Sequence, residues 1–268
     1  MRKLFVWCGA LSACILPAVA QAAVNINGLF ESPRVFNDFT TSTLNIDTSN
    51  FPVSATIDDR NLTDDGIGGN FANRHDLLFS SDGGTSPHQF DIDDGFTVKG
   101  IFNLEVGSVA PRKEAGIRIN SPITGDVQFI INSDAGEIVS FGGGAQSYSF
   151  SGGPQPDYVP GTDILLGLTY SGGTSSPRTV DYFIDRDPST PGGIEFAIAG
   201  PFVWSNLENG PVNFNVGFYG QVSPANANDF MTLTIDNPMF VNVPEPSTLG
   251  LLTLAMFGLA ACARRRRS

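Results

Sequence analysis

Between Ala23 and Val243 the sequence predicts an all-β fold, a two-sheet antiparallel β-sandwich. Apolar and polar residues alternate with a period of two in segments that recur roughly every 10 to 18 residues, the pattern of strands with one buried face. No window in this range sustains the 3.6-residue period of an amphipathic helix. Gly, Pro, Asn and Asp separate the segments, and the whole chain holds 30 Gly and 18 Pro. Roughly ten to twelve short strands in one exported unit suit two packed sheets.

In chain order, Val24-Asn25-Ile26 predicts a first short strand. Val35, Phe36, Phe39, Leu44 and Ile46 predict short edge strands among Ser, Thr and Asn. Asp58-Asp59, Asp64-Asp65-Gly66 and Gly68-Gly69-Asn70 predict a long turn-rich stretch. The clearest strand follows. Phe96, Val98, Gly100, Phe102, Leu104 and Val106 fall on one face, and Thr97, Lys99, Asn103 and Glu105 on the other, with Ile101 the one apolar exception. Ile117 and Ile119, then Val127, Phe129 and Ile131, then Ile138 to Phe141 predict an antiparallel meander with turns at Pro122–Gly125 and Asp134-Ala135-Gly136. Tyr148 and Phe150 predict another short strand. Ile164, Leu166, Leu168 and Tyr170 share a face, and Val180, Tyr182 and Ile184 answer them across Ser171-Gly172-Gly173. Ile194, Phe196 and Ile198 follow the Pro191-Gly192-Gly193 turn. Val212, Phe214, Val216 and Phe218 form a long strand, and Met231, Leu233 and Ile235 close the domain before Pro238. The strand lengths and the size of the unit resemble a jelly roll of the concanavalin-like lectin and glucanase type.

Both ends carry addresses. At the N-terminus Arg2 and Lys3 precede an apolar Leu4–Leu16, and Ala20-Gln21-Ala22 is a small-x-small cleavage pattern, so residues 1–22 read as a helical secretory signal peptide handled by the Sec machinery. A competing lipoprotein box, Leu11-Ser12-Ala13-Cys14, has a short apolar stretch before it and would leave an apolar mature start. At the other end, residues 244–268 hold Pro244-Glu245-Pro246, an uncharged apolar run Leu249–Ala263, and Arg264, Arg265, Arg266 and Arg267. The prolines resist helix and stay in water, the run enters a bilayer as a short transmembrane helix, and the arginines hold its far end on the cytoplasmic face. Its 15 residues span only about 22 Å of a ~30 Å hydrocarbon core, which suits a transient anchor better than a permanent one. This order of parts resembles the PEP-CTERM sorting signal of Gram-negative bacteria that make exopolysaccharide. The resemblance implies recognition of the tripeptide by a membrane-embedded exosortase. It also implies passage through an inner-membrane intermediate, and delivery to the cell surface or extracellular matrix.

The three cysteines, Cys8, Cys14 and Cys262, all lie in these ends, which removes disulfides, thiolate zinc sites and a cysteine nucleophile from residues 23–243. Of the 15 Lys and Arg, six lie in the ends, and of the 27 Asp and Glu only Glu245 does. That leaves nine positive against 26 negative charges, near −17. A surface this acidic excludes nucleic acid and disfavours anionic membrane as partners.

Catalytic signatures are missing. There is no G-x-S-x-G elbow, no E-x-D-x-x-E strand motif of the laminarinase-type glucanases, and only two histidines, His75 and His88, both expected in surface loops. Asp181 and Asp185 share a strand face with Phe183, which predicts a solvated face rather than a carboxylate pair. No cofactor is expected. Calcium is the candidate ion, at the oxygen-rich turn of Asp91, Asp93 and Asp94, although the EF-hand spacing is absent. Trp204, in a turn-flanked segment, is the candidate platform for stacking a sugar ring. The sequence thus leans toward a non-enzymatic structural or glycan-associated component of the extracellular matrix, with extracellular polysaccharide as partner. A polysaccharide-active glycosidase or lyase on a jelly-roll scaffold and a calcium-dependent lectin are the alternatives.

Overall fold

The structure, a computed structural model, describes residues 24–64, 66–122, 125–152, 157–172, 177–190, 196–204 and 213–243. Residues 24–243 form one compact unit. The signal helix expected over 1–22 and the transmembrane helix expected over 249–263 lie outside the described residues. Among the described residues no helix is long and apolar enough to cross a membrane.

Strands account for the regular structure. The first third of the chain contains β1 (Gly28–Asn37), β2 (Thr43–Asp47), β3 (Ser54–Arg60), β4 (Asn73–Ser80) and the two-residue β5 (Phe90–Asp91). The middle contains β6 (Phe96–Val106), β7 (Lys113–Ser121), β8 (Gly125–Asn132), β9 (Ile138–Gly142) and β10 (Tyr148–Ser149). The last part contains β11 (Asp163–Tyr170), β12 (Thr179–Asp185), β13 (Phe196–Val203), β14 (Asn213–Val222) and β15 (Phe230–Asn242). They pair antiparallel into an eight-stranded sheet, β1-β4-β14-β7-β8-β9-β10 with β5 on β14, and a seven-stranded sheet, β13-β12-β11-β6-β15-β3-β2. Strands distant in sequence neighbour each other in both sheets, as in a jelly roll.

The core lies where the alternation places it. On β6, Phe96, Val98, Phe102 and Leu104 are fully buried, and they face Phe79, Phe129, Val216 and Phe218 of the other sheet. Phe218 bridges the layers, with its ring centroid 5.1 Å from Phe79 and 5.6 Å from Phe102. Edge-to-face contacts of this kind add about 0.5–1.5 kcal/mol each beyond their area burial.

Four expectations need correction. β1 begins at Gly28, and Val24–Asn27 precede it outside any strand. Asp58-Asp59 is not a turn but lies in β3, paired with both β15 and β2. The turn-rich stretch is followed by β4, all eight of whose residues are buried. His75 lies on that strand and is fully buried between the sheets, not in a loop. Its Nδ1 accepts the Arg34 backbone N–H at 3.0 Å, so Nε2 carries the proton and donates to Asp59 Oδ2 at 2.9 Å. Asn73 donates to the same oxygen at 2.9 Å. His88 fits its expected place, half-buried with Nδ1 3.1 Å from Ser81 Oγ.

β15 also runs further than expected. It passes Pro238 through a bulge between Asp236 and Met239 and continues to Asn242. There Asn242 accepts the Val24 N–H at 3.3 Å and donates to Val24 O at 2.8 Å, and Val243 N–H reaches Gly95 O at 2.8 Å. The first and last residues of the sandwich are therefore tied side by side.

At the other end Lys113 is fully buried. Its Nζ donates to Asp229 Oδ2 at 2.6 Å and to Ser108 Oγ at 2.9 Å, while Asp229 also accepts the backbone N–H groups of Ala225 and Phe230. This joins the β6–β7 and β14–β15 connections. Removing one member of a buried ion pair strands the other charge, at about 3–5 kcal/mol. Lys113→Ala should therefore lower the unfolding free energy of the mature domain, read by urea titration, by that amount, while a more exposed control such as Arg112→Ala changes it by less than about 1 kcal/mol.

Candidate functional site

The face of the eight-stranded sheet turned away from the core carries its chemistry. On β4, His75, Leu77 and Phe79 point inward, so Arg74, Asp76 and Leu78 point outward. The same alternation sends Glu114, Gly116, Arg118 and Asn120 outward on β7, Asp126, Gln128 and Ile130 on β8, and Asn215, Gly217 and Tyr219 on β14. Register aligns them in rows. One row runs Phe30, Leu78, Gly217, Arg118, Gln128, Phe141, and the next runs Ser32, Asp76, Tyr219, Gly116, Ile130, Val139. From β1 to β9 a row spans about 24 Å at ~4.8 Å per strand. Leu78, Gly217 and Arg118 in the first row and Asp76, Tyr219, Gly116 and Ile130 in the second are withdrawn from solvent, whereas Gln128 and the end residues Phe30, Phe141, Ser32 and Val139 are half-buried.

Arg118 organises the face. Its Nε and Nη2 grip Asp126 at 2.8–3.0 Å, and its Nη1 is in close contact with Asp76 across β14. Arg74 donates from Nε to Asp76 at 3.0 Å, and its guanidinium sits 4.7 Å from the ring centroid of Tyr219. Asn120 adds a bond of 2.6 Å to Asp126. Burial raises the Asp76 carboxyl above its usual value against the opposing pull of both arginines. Burial also works on Asp126, but the Asn120 bond and the Arg118 guanidinium outweigh it and hold that carboxyl low. Tyr219 donates to Glu114 Oε1 at 3.2 Å. Burial, with the Glu114 charge next in size, pushes the Tyr219 phenol well above 10, and burial raises Glu114 as well. The result is two guanidiniums consumed by two carboxylates, beside a protonated phenol bonded to a carboxyl that resists ionisation.

The residues singled out in the sequence lie elsewhere. Trp204 is not exposed. Its relative exposure is 1%, its Nε1 donates to Gly143 O at 2.6 Å, and its ring packs on Tyr170 at 5.6 Å, so it is a core residue with no free ring face. Asp91, Asp93 and Asp94 do not converge. Asp93 pairs with Arg178 at 2.6 Å, Asp94 Oδ2 accepts the Asp91 N–H at 2.7 Å, and Asp91 Oδ1 accepts the Asp93 N–H at 3.2 Å. Among the described residues no group of three or more His, Cys, Asp or Glu is placed to hold a metal ion. Asp181, Phe183 and Asp185 do share the outer face of the seven-stranded sheet. Ala20, Ala22, Pro244, Glu245, Pro246 and Arg264–Arg267 lie outside the described residues. The arginine–carboxylate face was not anticipated, yet its signal is present: Arg74/Asp76 and Glu114/Arg118 place opposite charges two or four residues apart on strands whose intervening residues are apolar or core-facing.

Residues 242–267 match the PEP-CTERM protein-sorting motif. The chain therefore carries a sorting signal for export and delivery to the cell surface or beyond. No curated protein matches the chain. Similar solved structures include an alginate lyase from Corynebacterium sp., 14% identical over 74% of this chain and 81% of that one with a TM-score of 0.46. An alginate lyase from Klebsiella pneumoniae is 9% identical over 73% and 84%, with a TM-score of 0.47. Arcelin-5, a lectin-like defense protein from Phaseolus vulgaris, is 12% identical over 81% and 98%, with a TM-score of 0.43.

Glu114 makes the face sensitive to pH. Its folded value lies above the ordinary 4.5, so the folded state holds more protons than the unfolded chain between those two values. Its contribution to stability is complete below 4.5 and is lost as pH rises through the folded value. Glu114→Gln keeps an acceptor for Tyr219 but cannot ionise. Its unfolding midpoint relative to the native chain should therefore rise as pH climbs from 4.5 to the folded value of Glu114 and level off above it, as urea titrations at fixed pH values will read.

Proposed function

We propose that the chain is exported by the Sec machinery and held briefly in the inner membrane by its tail. An exosortase-like membrane protease then processes it at Pro244-Glu245-Pro246. The mature sandwich is a non-catalytic, glycan-associated component of the cell surface or extracellular matrix, and its ligand face is the outer face of the eight-stranded sheet. The observation that carries this reading is the row Phe30–Leu78–Gly217–Arg118–Gln128–Phe141. The planar amide of Gln128 suits the hydroxyls of a sugar, and half-buried aromatic rings at both ends suit its apolar ring faces. Because each guanidinium is balanced by a carboxylate and the domain as a whole is near −17, a neutral glycan fits better than an anionic one.

A binding role suits the protonation states. Tyr219, pushed well above 10, is no base at neutral pH, and Arg74 and Arg118 are already paired. One observation favours the rival, a polysaccharide-active enzyme: Glu114, raised by burial and bonded to Tyr219, is the kind of carboxyl that serves as a general acid. Incubating the mature chain with any glycan it binds and assaying for new reducing or unsaturated ends separates the two. Appearance of such ends, abolished in Glu114→Gln, establishes the enzyme.

Two outcomes test the main reading. On a glycan array, Phe30→Ala and Phe141→Ala should each weaken binding of the mature chain about tenfold, equivalent to ~1.4 kcal/mol. An array with no bound glycan removes the ligand face. In cells, Glu245→Ala should leave the chain in the membrane fraction, and unaltered release refutes processing at the tripeptide.

A further inference from the structure

A cleft of about 470 Å³ opens beside the point where the chain leaves the sandwich. Ile26, Phe51, Pro52, Pro238, Met239 and Phe240 form its apolar lining, and its two polar residues, Asn27 and Asn237, are uncharged. Asn237 N–H bonds Val53 O at 2.8 Å, which brings the β2–β3 turn against the β15 bulge. Beyond the bulge the strand places Met239 and Val241 outward. With Val53 they form an apolar rim, 41%, 47% and 67% exposed. Two charges flank the cleft without lining it: Lys99, the register partner of Met239, and Asp236, which precedes Asn237 and pairs with Ser54.

We infer that this cleft and its rim are a seat on the lipid bilayer, where the headgroups meet the acyl chains. The inference rests on the membrane-held intermediate proposed above. Its argument is the reach of the chain. Asn242 and Val243 are fixed to Val24 and Gly95, so no slack precedes Pro244. Six steps of at most ~3.5 Å separate Val243 from Leu249, where the apolar run begins, a reach of about 20 Å. The headgroup layer takes up about 5–8 Å of it. While the tail is embedded, this end of the sandwich therefore faces the bilayer at short range. A domain near −17 presents there an uncharged cleft and three protruding apolar side chains. That is the composition an interface accepts, since apolar groups enter the headgroup boundary and carboxylates do not. The seat also fixes the height of Pro244-Glu245-Pro246 at the membrane surface, within reach of a membrane-embedded protease.

The test uses the chain from Ala23 to Ser268 with Cys262→Ser, reconstituted in phosphatidylethanolamine–phosphatidylglycerol vesicles, with single cysteines carrying an environment-sensitive fluorophore. Met239→Cys and Val53→Cys should show blue-shifted emission, quenched at least twofold by lipids bearing a nitroxide near the headgroup. Asn226→Cys, in the β14–β15 connection beyond the opposite end of β15 and about 30 Å away, should stay solvent-like. Thr253→Cys reports tail insertion independently. If Thr253 is immersed and Met239 and Val53 remain solvent-like, the seat is wrong and the membrane-held intermediate stands. If Thr253 itself is not immersed, the intermediate falls and the seat with it. A shift at Met239 that lipid nitroxide leaves unquenched and that disappears on dilution overturns the seat in favour of a second copy of the chain. As a further check, Met239→Asp with Val241→Asp should reduce quenching at Val53 at least twofold, and unchanged quenching also overturns the seat.

Discussion

The guanidinium of Arg118, held between Asp76 and Asp126, is the constraint on which the eight-stranded sheet depends. Its two carboxylate partners sit on β4 and β8, and β14 lies between β4 and β7. For Arg118 to reach Asp76, β14 must present nothing in its path, and Gly217 is the residue at that crossing. A Cβ there would lie 2.1 Å from Leu77 O, so the backbones are too close for any side chain. Charges this deeply withdrawn are tolerated only as a set, because removing one strands the others in a medium that does not solvate them. The network thus fixes the spacing of four strands and, with it, the distance between the aromatic ends of each row.

β4 carries a second and different burial on its other side. His75 and Asn73 point between the sheets and meet Asp59 of β3, so this strand is tied to both layers by polar contacts as well as by Leu77 and Phe79. Asn73 also accepts the Phe39 N–H at 2.9 Å and donates to Ser42 Oγ at 3.0 Å, drawing the β1–β2 connection over that end of the sandwich. Asp59 Oδ1, buried, takes no hydrogen bond, a cost of about 1–3 kcal/mol. The aromatic core offsets it without a single cysteine. Phe90, Phe96, Phe214, Phe240, Tyr170 and Trp204 form a continuous set of ring contacts at the end where the termini meet.

Legibility in the sequence followed the chemistry of each strand. β6, β11 and β14 were readable because apolar residues recur at their inward positions, and in β6 and β14 the outward residues are mostly polar as well. β3 and β4 were not, because the alternation that marks them is one of charge and size rather than of polarity. Asp58-Asp59 carries the letters of a turn, yet Asp59 is buried because His75 and Asn73 supply its hydrogen bonds from another strand. Trp204 shows the converse. Flanking turn residues suggest exposure, but a bond to Gly143 O satisfies its indole nitrogen and lets the whole ring enter the core. Such partners lie 14 to 61 residues away in sequence, beyond any local pattern. The candidate ligand face was hidden for the same reason, since its meaning depends on Asp76, Arg118 and Asp126 meeting across strands.

The position of β15 joins the fold to the sorting signal. It lies inside the seven-stranded sheet, paired with β6 along one edge and β3 along the other, although it is the last strand before the sorting motif. The two halves of that sheet are joined only through residues 230–242, and the sorting motif begins at the last residue of that strand. The bonds of Asn242 to Val24 and of Val243 to Gly95 close this end of the sandwich, and Pro244 is the first residue beyond them. A cut at the tripeptide consequently releases a domain whose last hydrogen bonds are already made, and removes none of the residues that make them.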